Sequence, residues 1–361
     1  MLVNTAQTSV AGGQFNTLAQ SGTATPEKKT KKKRITVTGK GTDLSKLNQM
    51  KGWTKRKTIT QKTMLALIDV AKEKGALDRV DQYWNTYYCL NHAYSAGGRL
   101  HGKYCKNKFC TLCLCIRKAE ILNKYIPMLK NWNDAYFVTL TIKAIPNNLL
   151  SLLVSKLLKG FKRITEKYRK RSQRGTGIAL MGIRSLECNF NPIMKTYNPH
   201  LHIIVPSKEM AKVLIDEWVK LWKETNGVKW TTRAAQNMRK VHDLERDLIE
   251  CVKYGTKIFT ESDVNKKSKQ VNNPMIYVSA LDNIIAAMSG HRLFDRFGFN
   301  LPKNNGTNER HFTSVNDYDE WTFDAAHSNW INSETEETLS DYKLPKDLEN
   351  FLNNNLDLVN Q

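Results

Sequence analysis

Residues 178–205, IALMGIRSLECNFNPIMKTYNPHLHIIV, contain the two apolar stretches that decide the fold. Ile178–Cys188 and His200–Val205 are both rich in aliphatic residues, which predicts two strands. The loop between them contains Pro192 and Pro199 and is too short for a helical crossover. The two strands should therefore be antiparallel neighbours in a sheet.

A further strand and several helices are predicted around this pair. AYFVTLTI, residues 135–142, is aromatic and β-branched and ends before a proline, which predicts a central strand. Apolar residues at helical spacing predict four helices, over Leu149–Arg171, Ser207–Glu224, Val241–Phe259 and Asp282–Arg292. Together these segments predict an α+β architecture.

The chain is strongly basic. Its 361 residues include 56 Lys and Arg against 34 Asp and Glu, a net charge of +22. Such an excess favours a polyanionic partner, either nucleic acid or an anionic membrane surface. The sequence has no run of eighteen apolar residues and no apolar signal core, so we expect neither membrane insertion nor secretion. Nucleic acid is therefore the expected partner, with no membrane involved.

Charge and composition also divide the chain into segments. Residues 1–50 are poor in large apolar residues and contain a lysine-rich run, which predicts a disordered basic arm. From Val315 onward there are eleven acidic and two basic residues, so the first 314 positions carry a net charge of +31. We predict four segments: a basic N-terminal arm (1–50), a helical region (51–130), an α+β domain (131–300) and an acidic, flexible C-terminal tail (301–361). The motifs described next predict that the second segment is zinc-binding and DNA-contacting and that the third is a catalytic domain.

Two histidines predict a metal site on the second strand. His200 and His202 are two residues apart, so both imidazoles should lie on one face of the strand. Two imidazoles on a rigid face form half of a divalent metal site. Glu187 is the best third ligand, because it ends the preceding strand and would lie beside His200 in an antiparallel pair. A carboxylate and two imidazoles that leave open positions suit Mn²⁺ or Mg²⁺. An isolated His-x-His is more often free of metal, so its context decides.

A tyrosine lies in the helix predicted over 241–259. Glu250, Tyr254 and Lys257 are spaced i, i+4 and i+7 and should share one helix face. Such a group suits phosphodiester transesterification, in which Tyr254 attacks phosphorus and leaves a 5′-phosphotyrosine and a 3′-hydroxyl. Lys257 would offset negative charge, and Glu250 would activate the nucleophile that later breaks the covalent link. The alternative is an ordinary solvent-facing ladder of Glu, Tyr and Lys.

The cysteines predict a structural zinc site. The chain has seven cysteines, four of them between residues 105 and 115, which fits metal binding in a reducing cytoplasm better than disulfides. Cys105, Cys110 and Cys113 form a C-x4-C-x2-C trio, and a tetrahedral Zn²⁺ site needs a fourth ligand. Cys89 is the first choice; the alternatives are Cys115, His92 and His101. Buried free thiols are the competing interpretation.

Basic residues surround this cysteine cluster. Lys106, Lys108, Arg117 and Lys118 lie within or directly after it. We expect these four side chains to contact the DNA backbone, since lysine and arginine supply most phosphate contacts in such modules.

Five motifs occur in a recognisable order: CKNKFCTLCLCIRK (105–118), FVTLTI (137–142), MGIRSLECNF followed by NPHLHIIVP (181–206), ECVKYGTK (250–257) and GHRLFDRFG (290–298). In this order and at these spacings, the chain resembles the HUH-endonuclease superfamily. The specific resemblance is to the single-tyrosine, cysteine-cluster group of replication initiators (Rep proteins) of small rolling-circle plasmids. It covers about residues 84–300. The residues around Cys115 depart from the group, where an aromatic residue follows the last cysteine pair.

The resemblance implies a fold, a reaction and partners. The fold would be an antiparallel HUH/RRM-like sheet of about five strands, with the histidines on a central strand, the tyrosine helix nearby and a small zinc-binding segment. The reaction would be a site-specific nick in single-stranded or hairpin origin DNA, with Glu250 assisting hydrolytic termination. Host polymerase would extend the 3′ end with the help of a host helicase, in the bacterial cytoplasm.

Other functions share some of these features. A transposase or a mobilisation relaxase would use the same nicking chemistry on different DNA. A zinc-dependent DNA-binding regulator without catalytic activity would retain the cysteines and the charge, but would not need Tyr254 aligned with Glu250. A histidine-triad hydrolase is set aside, because that chemistry requires a further histidine where Ile204 stands.

Overall fold

The computed structural model describes residues 35–38, 41–223, 227–252, 275–302, 312–315, 317–343 and 345–346. Over these residues the chain is α+β, as predicted. The helices are α1 Leu47–Glu73, α2 Leu77–Tyr87, α3 Thr111–Leu129, α4 Asn147–Gln173, α5 Lys208–Leu221, α6 Leu244–Cys251 and α7 Met275–Met288. The strands are β1 Ile35–Thr38, β2 Thr42–Asp43, β3 His92–Ala96, β4 Arg99–Gly102, β5 Tyr136–Thr141, β6 Gly182–Asn191, β7 Thr196–Val205, β8 Asn237–Lys240, β9 Phe294–Phe297, β10 Phe312–Val315, β11 Asp319–Asp324 and β12 Asn329–Asn332.

The main sheet has five strands in the order β8-β5-β7-β6-β9, and every pair is antiparallel. This arrangement confirms the predicted antiparallel sheet of about five strands. The central strand is β7, which carries the two histidines, and β5 lies directly beside it. The centre of the sheet is fully buried at Leu201 and Ile203, which pack into a single large core.

A tight hairpin joins β6 to β7 and fixes their register. The Asn191 side chain accepts hydrogen bonds from the backbone N–H groups of Ile193 and Met194, at 3.0 and 3.1 Å. Lys195 completes the turn with a positive φ of 50°. The resulting register places Glu187 directly opposite His200, as the sequence predicted.

Helices cover both faces of the main sheet. On one face, Tyr125 of α3 packs edge-on against Phe294 at 5.3 Å. On the other, Phe161 of α4 packs against Phe297 at 5.2 Å. Phe294 and Phe297 are three residues apart on β9, so their side chains point to opposite faces. Helix α6 lies with α3, whereas α5 and α7 lie with α4.

The observed helices differ from the predicted ones mainly at their ends. Helix α7 begins at Met275, seven residues before the predicted start at Asp282, because the apolar run MIYVSAL continues the helical pattern upstream. Helix α6 begins at Leu244, after Asp243 accepts a hydrogen bond from the backbone N–H of Arg246 as the N-cap. It ends at Cys251, with Val252 as the C-cap. The rest of the predicted helix, 253–259, lies outside the described residues.

A second antiparallel sheet corrects our prediction for the C-terminal segment. Its strand order is β12-β11-β3-β4-β2. Strand β11 pairs with β3 and β12 pairs with β11, so residues 319–332 belong to this sheet and do not form a flexible tail. In DEWTFD the buried Trp321 and Phe323 alternate with the exposed Glu320 and Thr322. Trp330 is fully buried and donates its indole N–H to the Leu90 carbonyl at 2.9 Å. The acidic net charge of this segment therefore gave a wrong prediction of disorder, because the segment also contains apolar residues at every second position, the pattern of a strand.

The predicted N-terminal arm is also shorter than 50 residues. Strand β1 pairs with β10, β2 forms an edge of the second sheet, and α1 begins at Leu47. Met50 is buried in the core of the second sheet. Residues 1–34 lie outside the described residues.

A buried ion network joins α7 to the N-terminal helices. Asp282 is fully buried and accepts hydrogen bonds from Lys74 at 2.8 Å, from Arg79 at 2.9 Å and from the Tyr83 hydroxyl at 2.8 Å. Lys74 follows α1, while Arg79 and Tyr83 lie on α2, so three helices meet at one carboxylate. In the described part of the chain, no helix is both long and apolar enough to cross a membrane.

Candidate metal centres and active site

Three predicted metal ligands meet on one face of the main sheet. His200 and His202 project from β7 to the same side, and Glu187 projects beside them from β6. All three residues are buried, with 4% to 9% of their surface exposed. Their burial shows that the group lies under a covering layer and not on an open surface strand.

The ligand atoms of this group converge. The two Nε2 atoms are 3.2 Å apart, and Glu187 Oε2 lies 3.7 Å from His200 Nε2 and 3.4 Å from His202 Nε2. An ion about 2.1 Å from each ligand atom would separate neighbouring ligands by about 3.0 to 3.5 Å. The spacing therefore fits one divalent cation between the three atoms.

The outer ring nitrogens of both histidines are anchored. His200 Nδ1 donates to the Asn198 carbonyl at 3.0 Å, and His202 Nδ1 lies 3.2 Å from Thr139 Oγ1. A carbonyl can only accept, so Nδ1 carries the proton in neutral His200, and Nε2 presents its lone pair to the centre. This is the usual outer-shell arrangement of a metal-binding histidine.

A buried serine adds a further polar atom on the same face. Ser185 is the register partner of His202 and is fully buried. Its Oγ has no hydrogen-bond partner among the described residues. An unpartnered buried hydroxyl beside the imidazoles is consistent with a place for an ion or its bound water.

Helix α6 lies over this metal group and is fastened to the edge of the sheet. Asp247 accepts a hydrogen bond from each of two Arg239 guanidinium nitrogens, with a distance of 2.9 Å from Nη1 to Oδ2. Arg239 in turn lies 4.6 Å from the centre of the Phe137 ring, and that ring lies 5.2 Å from the His202 ring. A chain of contacts therefore connects α6 to a metal ligand.

The C-terminal end of α6 approaches the metal group. Cys251 is fully buried, and its thiol pKa is raised well above the usual value by burial and by the negative charges of Glu187, Asp247 and Glu250. Because the influence of a charge weakens with distance, the contribution of Glu187 indicates that the end of α6 is near the ligands. Glu250 is half-buried next to it. Tyr254 and Lys257 lie outside the described residues, so the face predicted to be shared by Glu250, Tyr254 and Lys257 stays a prediction.

The four favoured cysteines meet in a second candidate metal centre. Their sulfur atoms all lie within 4.8 Å of one another. Cys113 Sγ is 3.7 Å from Cys89 Sγ and 3.6 Å from Cys105 Sγ. A tetrahedral zinc ion with Zn–S bonds of about 2.3 Å separates its sulfur ligands by about 3.8 Å. The set fits zinc, and Cys115, His92 and His101 lie outside it.

Backbone donors surround these sulfur atoms. The N–H of Lys106 points to Cys113 Sγ at 3.2 Å, and that of Asn107 points to Cys105 Sγ at 3.4 Å. Lys106 has a positive φ of 60°, which turns the loop so that these donors face inward. Hydrogen bonds donated by backbone N–H groups favour the thiolate form of a cysteine. The loop therefore suits thiolate ligands.

A buried lysine supports the cysteine cluster. Lys57 of α1 is fully buried and donates to the carbonyls of Tyr87 and Cys89, at 2.7 and 2.8 Å. Burial lowers its pKa to about 8, although the nearby cysteines oppose the shift. A cation here would balance part of the charge of four thiolates.

The four basic residues predicted to contact DNA differ in exposure. Lys106 is exposed. Lys108 is half-buried and donates to the His291 carbonyl at 2.5 Å, and Arg117 donates to the Lys106 carbonyl at 3.2 Å. Lys118 is also half-buried. Lys108 and Arg117 therefore stabilise the loop as well as adding positive charge.

Sequence reasoning missed the residues that support the metal group. Thr139 lies within a predicted strand, but the β5–β7 register determines that it stands opposite His202. Arg239 and Asp247 lie eight residues apart across a strand, a loop and a helix start, and no spacing rule singles out such a pair.

The fold and site define a class of protein: a basic α+β domain with a buried Glu-His-His group and a separate cysteine cluster, each of which could hold a metal ion. Comparison with known proteins identifies the family of the chain. Residues 99–324, more than half of the chain, match the sequence profile of the family described as Replication protein. The chain therefore belongs to this replication-protein family of rolling-circle plasmids, which confirms the resemblance seen in the sequence.

Curated relatives are similar over part of their length. "Protein rep" of Streptococcus pneumoniae serotype 2 is 24% identical over 238 residues, which cover 60% of this chain and 70% of the relative. "Protein rep" of Bacillus amyloliquefaciens is 24% identical over 209 residues, covering 51% and 59%. "Protein rep" of Staphylococcus aureus is 28% identical over 166 residues, covering 42% and 69%. No solved structure matches the chain significantly.

Proposed function

We propose that this chain initiates rolling-circle plasmid replication by nicking single-stranded or hairpin origin DNA through Tyr254. The observation that supports the proposal most directly is the buried group of Glu187, His200 and His202, whose ligand atoms lie 3.2 to 3.7 Å apart. A divalent cation bound there, Mn²⁺ or Mg²⁺, would supply Lewis-acid polarisation of the scissile phosphate.

The course of the chain supports Tyr254 as the nucleophile. Cys251, at the end of α6, is fully buried, and the charge of Glu187 contributes to its raised pKa. Tyr254 follows Cys251 by three residues, and three residues span at most about 11 Å. This short separation in sequence supports Tyr254 as the proposed nucleophile.

In the proposed reaction the tyrosine replaces a DNA hydroxyl on phosphorus. Tyr254 Oη forms a bond to phosphorus as the bond from phosphorus to the 3′ oxygen breaks. The phenolic proton is lost from Oη, and the leaving 3′ oxygen gains a proton, so atoms and charge balance. The products are a 5′-phosphotyrosine link and a free 3′-hydroxyl. A phenol with a pKa of about 10 is a weak nucleophile at neutral pH, so the phosphate needs electrophilic activation.

Two neighbours of Tyr254 complete the proposed mechanism. Lys257 would offset negative charge on the phosphate or the phenolate. Glu250, half-buried at the end of α6, would accept a proton from water or from a second DNA 3′-hydroxyl as that oxygen attacks the phosphotyrosine. This second step regenerates the phenol and ends the round.

The cysteine cluster is proposed to bind a structural Zn²⁺ through Cys89, Cys105, Cys110 and Cys113. The ion would stabilise the loop that carries Lys106 and Lys108 and the helix that carries Arg117 and Lys118, so that these side chains contact DNA phosphates. Host DNA polymerase would then extend the 3′ end behind a host helicase, in the bacterial cytoplasm where plasmid DNA resides. The matching family is described as Replication protein and the relatives are named "Protein rep", which favours replication over transposition or mobilisation.

The test is nicking of a labelled single-stranded origin oligonucleotide with Mn²⁺ or Mg²⁺. Tyr254→Phe should abolish both cleavage and the covalent protein–DNA adduct. Tyr88→Phe, at an exposed tyrosine after α2, is the matched control and should retain both. Cleavage with adduct formation by Tyr254→Phe would show that another residue is the nucleophile. Absence of cleavage by the unaltered protein would favour a non-catalytic DNA-binding regulator.

A further inference from the structure

Helix α4 carries an unbalanced positive charge on its exposed face. Within Asn147–Gln173, eight exposed residues are basic and Glu166 is the one acidic residue. The neighbouring helix α5 packs on the same face of the sheet but has three lysines against three acidic residues. A helix face that serves only solubility normally mixes both signs, as α5 does. The charge of α4 therefore calls for a specific partner.

The basic residues of α4 form a single straight stripe. Six positions follow i+3 and i+4 spacing: Lys156, Lys159, Arg163, Lys167, Lys170 and Arg174, the last at the C-cap. At 100° per residue they fall within an arc of about 80°. With a rise of 1.5 Å per residue, the stripe is about 27 Å long. This line of cations is rigid, because the helix beneath it is buried in the core from Leu150 to Tyr168.

Most of the stripe lacks an intramolecular counter-charge. Lys167 pairs with Glu217 at 2.7 Å, and off the stripe Lys162 pairs with Glu166 at 3.7 Å. In the described part of the chain, no carboxylate lies within ion-pair distance of Lys156, Lys159, Arg163, Lys170 or Arg174. Five cations on one line therefore remain available to an external anion.

The stripe continues towards the loop of the cysteine cluster. Ser155 of α4 lies 3.3 Å from His291 Nε2, and Lys108 donates to the His291 carbonyl. Burial and the positive charges of Lys108, Arg184 and Lys159 lower the pKa of His291. Cations from α4, from β6 and from the loop therefore lie around His291.

The α4 stripe and the proposed metal site lie on opposite faces of the main sheet. Phe161 of α4 contacts Phe297, which pairs with Gly182 at the start of β6. Glu187 is five residues after Gly182 on the same strand, so the two positions face opposite sides. A DNA strand bound at the metal group does not reach α4 through the sheet. The α4 stripe must therefore contact a different part of the nucleic acid.

We propose that the α4 stripe binds the phosphate backbone of double-stranded DNA. A single-stranded partner would call for exposed aromatic rings to stack the bases, but the stripe is purely cationic and Tyr168 is buried. A lipid surface would call for an exposed apolar face, and the apolar face of α4 lies in the core. A straight row of cations without base-reading groups suits a duplex backbone, where the contacts are independent of sequence.

This proposal rests on the proposed nicking function only for the choice of DNA as the partner, so its test requires no cleavage. Lys159→Gln/Arg163→Gln/Lys170→Gln removes three charges from the stripe. Lys208→Gln/Lys212→Gln/Lys220→Gln removes three exposed charges from α5 and is the matched control. Binding to a labelled duplex and to a labelled single strand is measured by fluorescence anisotropy over a range of salt concentrations. Circular dichroism checks that both variants fold.

The stripe variant should bind duplex at least about tenfold more weakly than the control at moderate salt. Its log–log salt slope should fall by about 3, because each phosphate that the protein no longer neutralises lowers the slope by about 0.9. Equal duplex binding by the two variants would overturn the proposal, and so would an equal or larger loss of affinity for the single strand. If the unaltered protein failed to nick but the stripe variant still bound duplex more weakly, the nicking proposal would fail and this one would stand.

Discussion

Arg239 on β8 and Asp247 on α6 form a bidentate ion pair that fastens α6 to the edge of the main sheet. Asp247 has 6% of its side chain exposed, and Arg239 also covers the Phe137 ring beside His202. The pair therefore sets the position of α6, and with it Glu250, relative to the metal group. Because Tyr254 follows α6 by three residues, the same pair would control the approach of the proposed nucleophile.

Arg239→Lys should impair nicking by misplacing α6. Lysine retains the charge but cannot form the two parallel hydrogen bonds. We expect a ten- to a hundredfold fall in the single-turnover nicking rate, since small displacements of reacting groups cost that much. The free energy of unfolding should fall by about 1 kcal/mol, because Arg239 itself is partly exposed.

The control for this change is Arg233→Lys, at the exposed pair between Arg233 and Asp216. It should leave both the nicking rate and the stability unchanged. Equal nicking rates for the two variants would show that the Arg239 pair does not position α6.

Removal of the carboxylate ligand should weaken Mn²⁺ binding. Glu187→Gln keeps the size of the side chain but removes its charge beside His200 and His202. We expect the affinity for Mn²⁺, measured by calorimetry or electron paramagnetic resonance, to fall more than about a hundredfold, since loss of an outer-shell partner alone costs about 10- to 100-fold. Glu217→Gln on α5 is the control. Unchanged Mn²⁺ affinity in Glu187→Gln would remove Glu187 from the ligand set.

Zinc should stabilise the second sheet together with the cysteine cluster. Cys89, Cys110 and Cys113 belong to the same buried cluster as Trp53 and Trp330. We expect one zinc per chain, and its chelation should lower the melting temperature and shift the tryptophan fluorescence to the red. Cys113→Ser should lose the metal, and Cys115→Ser should keep it. One zinc per chain in Cys113→Ser would contradict the assignment.

The hairpin at the metal group was predictable because its determinants are local. Two apolar runs joined by a short loop with Pro192 dictate an antiparallel pair, and the pair dictates that Glu187 faces His200. The same holds for the cysteine trio, where spacing alone indicates a metal knuckle. The fourth member of the set, Cys89, lies sixteen residues before Cys105, so spacing within the trio did not identify it by itself.

The second sheet was not predictable in the same way. Its β11 pairs with β3, although Trp321 and Ala93 are more than 200 residues apart in sequence. Nothing local specifies such a partner, and the acidic composition of the segment favoured a solvated tail. The Asp282 network and the Arg239–Asp247 pair also depend on tertiary contacts, so sequence patterns did not reveal them.

Asp282 should make stability sensitive to acid. Burial raises the pKa of its carboxyl, but the hydrogen bonds from Arg79, Lys74 and Tyr83 outweigh burial, so the net pKa lies below the ordinary value of 3.8. Below pH 3.8 the unfolded state therefore binds more protons than the folded state. The stabilisation is complete above pH 3.8 and is lost as the pH falls through the lower folded value.

Asp282→Asn should therefore lower the free energy of unfolding by about 3 kcal/mol at neutral pH, because two cations lose their buried partner. It should also flatten the loss of stability on acidification below pH 4, measured by urea denaturation. Asp81→Asn, at an exposed position of α2, is the control and should retain the unaltered profile. The same dependence of stability on pH in both variants would show that Asp282 is not the source of the acid sensitivity.

Glu250→Ala separates the two steps of the proposed reaction. If Glu250 acts only when the phosphotyrosine is broken, the variant should nick at nearly the normal rate and accumulate the covalent adduct. Release of the DNA should slow by about 100- to 10,000-fold, the range for loss of a general base. Glu245→Ala, in the first turn of the same helix and exposed, is the control for helix stability. Adduct formation and release are followed in one gel assay, so a loss of nicking in Glu250→Ala but not in Glu245→Ala would move Glu250 into the first step. Normal release in both variants would instead assign the second step to another base, leaving Tyr254 as the nucleophile.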